Sequence, residues 1–214
     1  MLKAGIQFGH RKDRKHPKIE PFIYGTRNDV LLIDVIKTRE FFEKALDYLK
    51  KKKKDGAVIL FVATKNIARE LVVDVAKDLK MPYITERWLG GILTNFEIIK
   101  RQLDKLEGME QEKKEGESNK YTKKERLRKD QSMEKIKRKI GGLRTLKRLP
   151  DILFVVDVQR EKTAILEAGK KKIPIVGICD TNGDPSSVDF PIPANDDAPS
   201  ALAYIFEKIK KELK

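Results

Sequence analysis

One plan is written twice along this chain: a continuous apolar run, an amphipathic helix, a proline and another apolar run. AVILFVAT from Ala57 leads into NIARELVVDVAKDLK and, across Pro82, into the short run PYIT. DILFVVDV from Asp151 leads into REKTAILEAGKKK and, across Pro174, into PIVGICD. Apolar runs without alternation describe strands covered on both faces, and strands alternating with helices describe a parallel sheet wrapped by helices. A further run, DVLLIDVI from Asp29, precedes REFFEKALDYLKKKKK, a helix that Thr38 can cap and that turns Phe41, Phe42, Ala45, Leu46 and Leu49 toward a core. The expected fold is therefore α/β, an open parallel five-stranded sheet with helices on both faces. A last helix, from about Pro199 to Leu213, closes it after the capping cluster Asn195, Asp196 and Asp197.

The segment 96–149 breaks the alternation. No strand pattern interrupts it, and between Arg101 and Arg148 it carries 17 Lys or Arg against 9 Asp or Glu. Leu103, Leu106 and Met109 recur at helical spacing before a polar tip, EQEKKEGESNK; Met133, Ile136, Ile140, Leu143 and Leu146 do so after it. Two antiparallel helices packed along one seam, a coiled coil inserted into a globular domain of residues 1–95 and 150–214, is the economical reading. A charged insert without fixed structure is the alternative.

The net charge of +14 over 214 residues, with a pI near 9.7, points to a polyanionic partner, nucleic acid before a membrane surface. Cys179 is the single cysteine, which excludes an intramolecular disulfide framework and fits a reducing compartment. Neither a signal-peptide run nor a stretch near the roughly 20 apolar residues of a membrane helix is present, so a soluble, unsecreted, cytosolic chain is expected.

The densest basic cluster outside the insert is GHRKDRKHPK, with Arg11, Lys12, Arg14, Lys15 and Lys18 against one acid. It lacks helical or strand periodicity and reads as a loop whose cations can spread over several phosphates; a solvated charge run is the bland alternative. His10 and His16 are the only histidines, and no ligand partner stands near them in sequence, so base contact is expected of them and a metal site is not. DTNGDP, from Asp180, falls where a parallel strand ends, the edge at which such sheets place ligands. It begins like a calcium loop but has Pro185 where glycine is needed and Pro191 where the bidentate Glu belongs, which leaves a turn. No nucleotide-binding glycine motif, nucleophile elbow or paired-His helix occurs, and no cofactor is expected.

RWLGGILTNFEIIK, Arg87 to Lys100, holds the only tryptophan beside a glycine pair. Thr94 or Asn95 can cap the helix that follows, which places the loop at the same sheet edge as DTNGDP. RWLGGILTNFEII resembles the signature of the bacterial-type family of small-subunit ribosomal proteins conventionally numbered two. GIQFGHRKDRKHPKIEPFIYGTRNDVLLIDVIKT is similar to that family's opening block, FVATKNIA to its second strand, PDILFVVDVQREKTAILEAGKKKIPIVGICDTNGDP to its second half and IPANDDA to the run before its last helix. The blocks are collinear over nearly the whole chain.

The resemblance implies a three-layer flavodoxin-like domain with an inserted helical hairpin, on the solvent side of the small subunit, bridging head and body. It implies contact with small-subunit rRNA and with neighbouring ribosomal proteins, among them the large messenger-capturing protein. It puts His10, Arg14, Pro17 and Lys18 in the family's basic loop, and the charge chemistry makes His10, Arg11, Lys12, Arg14, Lys15, His16 and Lys18, with Arg27 and Arg87 beside them, the candidates for RNA contact. Arg87, Trp88, Gly90, Gly91, Thr94 and Asn95 fall in the family's central signature; on physical grounds the glycines permit close packing or unusual backbone angles and Trp88 is expected to anchor the hairpin, with direct stacking on a base as the alternative. Lys15 stands where many relatives carry tryptophan, exchanging a stacking surface for a phosphate contact, and only a few residues precede GIQFGH, short of the family's N-terminal helix. Outside the resemblance two readings stay open: a nucleotide- or phosphate-using enzyme built on Gly90, Gly91, Asp180 and Asp184, and a free RNA-binding factor.

Overall fold

Strands with apolar side chains on both faces need two covering layers, and the computed structural model, which describes residues 1–115 and 122–214, supplies them. β4 (Ile59–Val62), β5 (Tyr83–Ile84), β6 (Ile152–Val156), β7 (Ile175–Cys179) and β8 (Phe190–Pro193) form one parallel sheet in the order β5-β4-β6-β7-β8. Counted from β4 this is the 2-1-3-4-5 order of a doubly wound sheet. On one face, Phe61, Phe154 and Ile178 pack against α1 (Val35–Lys54), α2 (Asn66–Asp78) and α6 (Pro199–Leu213). On the other, Leu60, Val62, Leu153 and Val155 share a core with α5 (Lys162–Lys170), the segment from Trp88 to Leu93, and Ile99, Leu103, Ile140 and Leu143 of the segment 96–149.

The sheet has five strands as expected, but the membership differs. Val30–Ile33 is not one of them: as β3 it lies between β1 (Phe8–Arg11) and β2 (Ile23–Arg27) in a separate antiparallel sheet. Its burial alternates, with Leu31 and Ile33 inside and Val30 and Leu32 half-exposed, the pattern of a sheet covered on one face. Asn28 and Asp29 turn β2 into β3 at φ 48 and 62, the conformation a tight hairpin demands. The fifth parallel strand is β8, whose Pro191 and Pro193 lack N–H donors and are accommodated at the edge of the sheet.

One cap differs from expectation, and the expected cluster before α6 resolves to one residue. Asp34, not Thr38, caps α1 by accepting the N–H groups of Ile36 and Lys37. Thr38 sits one turn inside and donates its hydroxyl to the carbonyls of Asp34 and Pro193, tying α1 to β8. Before α6 it is Asn195 that accepts, from the N–H groups of Asp197 and Ala198.

The insert forms α3 (Phe96–Lys114) and α4 (Lys123–Ile140), so the stretch from Glu110 to Lys114 continues a helix rather than opening a tip; residues 116–121 of the expected tip lie outside the described residues. Thr122 and Glu125 close a reciprocal capping box at the start of α4. Glu112 pairs with Lys129 at 2.9 Å and Glu110 with Arg144 at 2.6 Å, so the arms run in opposite senses. Ile99, Leu103, Leu106, Ile140, Leu143 and Leu146 are buried, whereas Met109, Met133 and Ile136 are half-exposed. Apolar contact is therefore concentrated at the root. Farther out a cavity of about 120 Å³ lies between the arms, lined by Met109, Arg126, Lys129 and Met133 among others.

The root is close-packed at Gly142, where a Cβ would meet the carbonyl oxygen of Tyr83 at 2.3 Å, while a Cβ at Gly108 on α3 would meet nothing within 4 Å. Gly142→Ala is expected to destabilise the chain by about 1–3 kcal/mol through overpacking. Gly108→Ala is expected to stabilise it by about 0.5–1 kcal/mol. Urea unfolding of the two variants checks the pair; equal midpoints would contradict the packing at the root.

Candidate nucleic-acid interface

The basic loop is held rigidly against the turn that follows β7. Thr181 is the peg: its hydroxyl oxygen accepts the N–H of His10 at 2.7 Å, and its carbonyl accepts the N–H of His16 at 2.9 Å. Gly9 makes the approach possible, since a Cβ there would lie 2.3 Å from the Thr181 methyl. Lys18 reaches Asp184 at 2.8 Å and Ser186 at 2.6 Å; against the effect of burial, Lys18 and the hydroxyl and N–H that Ser186 donates to Asp184 hold its carboxyl at about 2. His16 caps the short helix Pro17–Phe22 by accepting the Lys18 N–H. Two motifs read separately in the sequence, the basic loop and DTNGDP, are thus one structural unit.

Exposed cations project from this unit. Arg11 lies 3.9 Å from Asp13, and Lys12 and Arg14 form no ion pair among the described residues. Arg27 joins them, because Arg11 and Arg27 both stand opposite Val30, one on each side of β3. Lys15 and Lys18 are engaged by Glu20 and Asp184. Arg87 is exposed but belongs elsewhere: it follows β5, three strand spacings or roughly 14 Å across the sheet from β7.

His10 points inward. Its Nδ1 lies 3.3 Å from Asp180 and its Nε2 lies 3.2 Å from Asp197, so the ring bridges two carboxylates supplied from the far end of the chain. The Asp180 contact raises the His10 pKa in spite of burial. Lys65, at the end of β4, faces Asp196 and Asp197 at 2.5 Å each and Asp157 at 3.6 Å. Burial, reinforced by Asp180 and Asp157, pushes the Asp196 carboxyl up to about 7. Donor atoms of His10, Asp180 and Asp197 lie within 4.8 Å of one another, a nitrogen and carboxylate set of the kind a divalent cation takes. Sequence reasoning found no partner for His10 because the partners are 170 and 187 residues away. His16 takes no part in the set.

The glycine pair does something else. The loop from Trp88 to Thr94 is laid against α5, where the buried carboxylate of Glu167 fills it, not along the edge that holds Asp180. Oε1 accepts from Trp88 Nε1 at 3.0 Å and from the Gly91 N–H at 2.8 Å. Oε2 accepts from the N–H groups of Leu93 and Thr94 and from the Thr94 hydroxyl, at 3.0 to 3.2 Å. Gly91, at φ 96, lets successive N–H groups converge, the geometry of an anion-binding nest. Here the anion is part of the chain. Burial alone would raise the Glu167 pKa; the hydrogen bonds from Trp88, Gly91, Thr94 and Leu93 outweigh it and lower it. Thr94 is spent on Glu167, and Asn95, at the N-cap of α3, makes no side-chain cap. Glu167 was missed from the sequence, although a signal exists: it shares the buried stripe of α5 with Ala164 and Ala168.

Strand order, covering helices and the helical arm define a doubly wound α/β protein whose exposed cations sit on a loop pinned to the sheet. The chain belongs to the family described as ribosomal protein S2, which matches residues 1–214. It is similar to the small ribosomal subunit protein uS2 of Cytophaga hutchinsonii, 46% identical over 209 residues, which cover 98% of this chain and 82% of the relative. The protein of the same name from Nitratiruptor is 44% identical over 198 residues, covering 92% and 74%, and that of Helicobacter hepaticus 39% over 213, covering 100% and 81%. No helix among the described residues is long and apolar enough to cross a membrane.

Removing the anion should release the loop. Glu167→Ala is expected to cost about 2–4 kcal/mol, since it strands several buried donors. Because the folded pKa of Glu167 is lowered, its contribution is fully present above the unfolded value of 4.5 and is lost as pH falls through the folded value. Glu167→Gln should therefore flatten the acid limb of stability against pH. An unchanged limb in urea melts across that range would show that the carboxylate is not what the loop requires.

Proposed function

We propose that this chain is a structural constituent of the small ribosomal subunit that binds small-subunit rRNA, bridges head and body on the solvent side, and performs no bond-making chemistry. Membership of the ribosomal protein S2 family along the whole chain carries the reading. The geometry supports it physically: Arg11, Lys12, Arg14 and Arg27 are presented on a loop and hairpin fixed by Thr181 and β3. Fixed cations can clamp the phosphates of folded RNA without reading bases, and little ordering entropy remains to be lost on binding. His10, Lys15, His16 and Lys18 act mainly by holding this loop, and Arg87 adds a separate contact. Trp88, Gly90, Gly91, Thr94 and Asn95 set the exit of the hairpin.

In this reading residues 1–95 and 150–214 are the globular domain, and 96–149 is an inserted coiled-coil arm that extends the contact. The chain acts as one copy per ribosome in the cytoplasm, or in an organelle, beside neighbouring small-subunit proteins including the messenger-capturing one. The glycine loop that would serve a nucleotide-using enzyme is filled by Glu167.

The test is sedimentation of tagged chains in cell lysates at low and high salt. The wild-type chain should travel with the small subunit at both. Replacing Arg11, Lys12 and Arg14 together by Glu should leave the thermal midpoint unchanged, because all three are exposed, and reduce incorporation at least about tenfold, since each lost phosphate contact forfeits counterion release. A wild-type chain that washes off at high salt is instead a free RNA-binding factor, and unaltered incorporation of the variant discards the loop as a contact.

A further inference from the structure

Beneath the basic loop, the strand termini at the two ends of the parallel sheet differ in charge. At the C-terminal ends of the strands stand Asp157, Asp180, Asp184, Asp196 and Asp197, with His10 and Lys65 among them. The N-terminal ends are entered through turns rich in lysine: Lys80 before β5, Lys51 to Lys54 before β4, Lys147 and Arg148 before β6, and Lys170 to Lys172 before β7. These segments are scattered along the chain, yet the strand order sets them side by side. With strands about 4.8 Å apart, the four entries span roughly 14 Å.

Two backbone positions are informative. α1, α2 and α5 end in the same motif, in which the N–H beyond the left-handed residue returns to a carbonyl five residues earlier: Ala57 to Lys52, Met81 to Ala76, Ile173 to Ala168. The left-handed residue is Gly56 after α1, the type that suits the conformation, but Lys80 after α2 and Lys172 after α5, both at φ 55. At two equivalent turns the chain keeps a cation where glycine would be less strained. Complementing helix dipoles explains lysines in the last helical turns; it does not require them one residue past the cap.

Nor does the protein itself consume this charge. Of the nearby acids, Asp151 is engaged by Arg148 and the Val58 N–H, Asp189 by the Ile175 N–H, Asp78 by Lys210 and Lys214, and Glu212 by Lys50, which leaves the exposed Asp55 and Glu97 among a larger number of lysines. Lys51, Lys52, Lys80, Lys147, Lys171 and Lys172 are exposed and form no ion pair among the described residues. Beside them a groove of about 430 Å³ opens at the hairpin root, where Lys100, Lys147, Arg148 and Lys171 face Thr94, Asn95 and Glu97.

We infer that the N-terminal edge of the parallel sheet, with Lys80 and Lys172 at its left-handed turns and the groove at the hairpin root, is a second docking surface for the phosphate backbone of folded RNA. It lies at the end of the sheet opposite the basic loop, and it rests on the RNA-binding reading given above. An RNA clamped by both ends would hold the domain against rotation. The surface reads charge and spacing, not sequence.

The decisive variant is Lys80→Gly with Lys172→Gly, because glycine removes each cation and relieves each turn. Fluorescence anisotropy of a labelled A-form RNA hairpin is titrated with the full chain over a range of salt concentrations. The double variant is expected to melt no lower than the wild type, to bind at least about tenfold more weakly at 0.1 M salt, and to show a salt slope shallower by about 1 to 2. Equal affinity and slope, with wild-type binding intact, would overturn this surface and leave the loop standing. A wild-type chain that does not bind the hairpin overturns both surfaces.

Discussion

A carboxylate buried in a ring of five hydrogen-bond donors organises this protein. Glu167 fixes the backbone of Gly91, Leu93 and Thr94 and the indole of Trp88 in one contact set. α3 begins two residues after Thr94, so the start of that helix is set there. Trp88, Ile92 and Leu93 then share a core with Ile99, Leu103, Ile140 and Leu143. A packed apolar replacement could not accept from the converging donors, so this buried charge serves the geometry of the loop. The loop looks like a phosphate cradle because it is an anion nest; its anion arrives from α5.

The charge polarity of the sheet grows from the same doubly wound topology. Helices antiparallel to the strands bring their N-termini to the C-terminal edge, where acids are favoured, and their C-termini to the opposite edge, where lysines are favoured. Acids at the first edge serve as sockets. Asp180, Asp184 and Asp197 receive His10 and Lys18 and fasten the basic loop, leaving Arg11, Lys12 and Arg14 to face outward. A rigid frame with outward cations at both ends suits a partner whose charge is repetitive and whose shape is fixed.

Much of the frame was legible in the sequence because it rests on local pattern. The continuous runs around Phe61 and Phe154 read as buried strands and are β4 and β6, and α6 from Pro199 to Leu213 matches its expected limits. What escaped depends on distant pairing. β3 reads as a buried strand until β1 and β2 are seen beside it, and β8 is disguised by two prolines tolerated only at an edge. The same limit governs the site. Arg11, Lys12 and Arg14 are visible as a cluster, but the Thr181 peg, the two aspartates around His10 and the Glu167 nest lie more than 70 residues from the groups they hold.

In the proposed function, preset cations on an α/β frame hold folded RNA. Covalent labelling of lysines, read by mass spectrometry on the free chain and on purified small subunits, addresses it most directly. Lys12, Lys80 and Lys172 are expected to be reactive in the free chain and protected in the subunit, while Lys65, half-buried and paired with Asp196 and Asp197, reacts weakly in both. Equal reactivity of Lys12, Lys80 and Lys172 in the two states would contradict it.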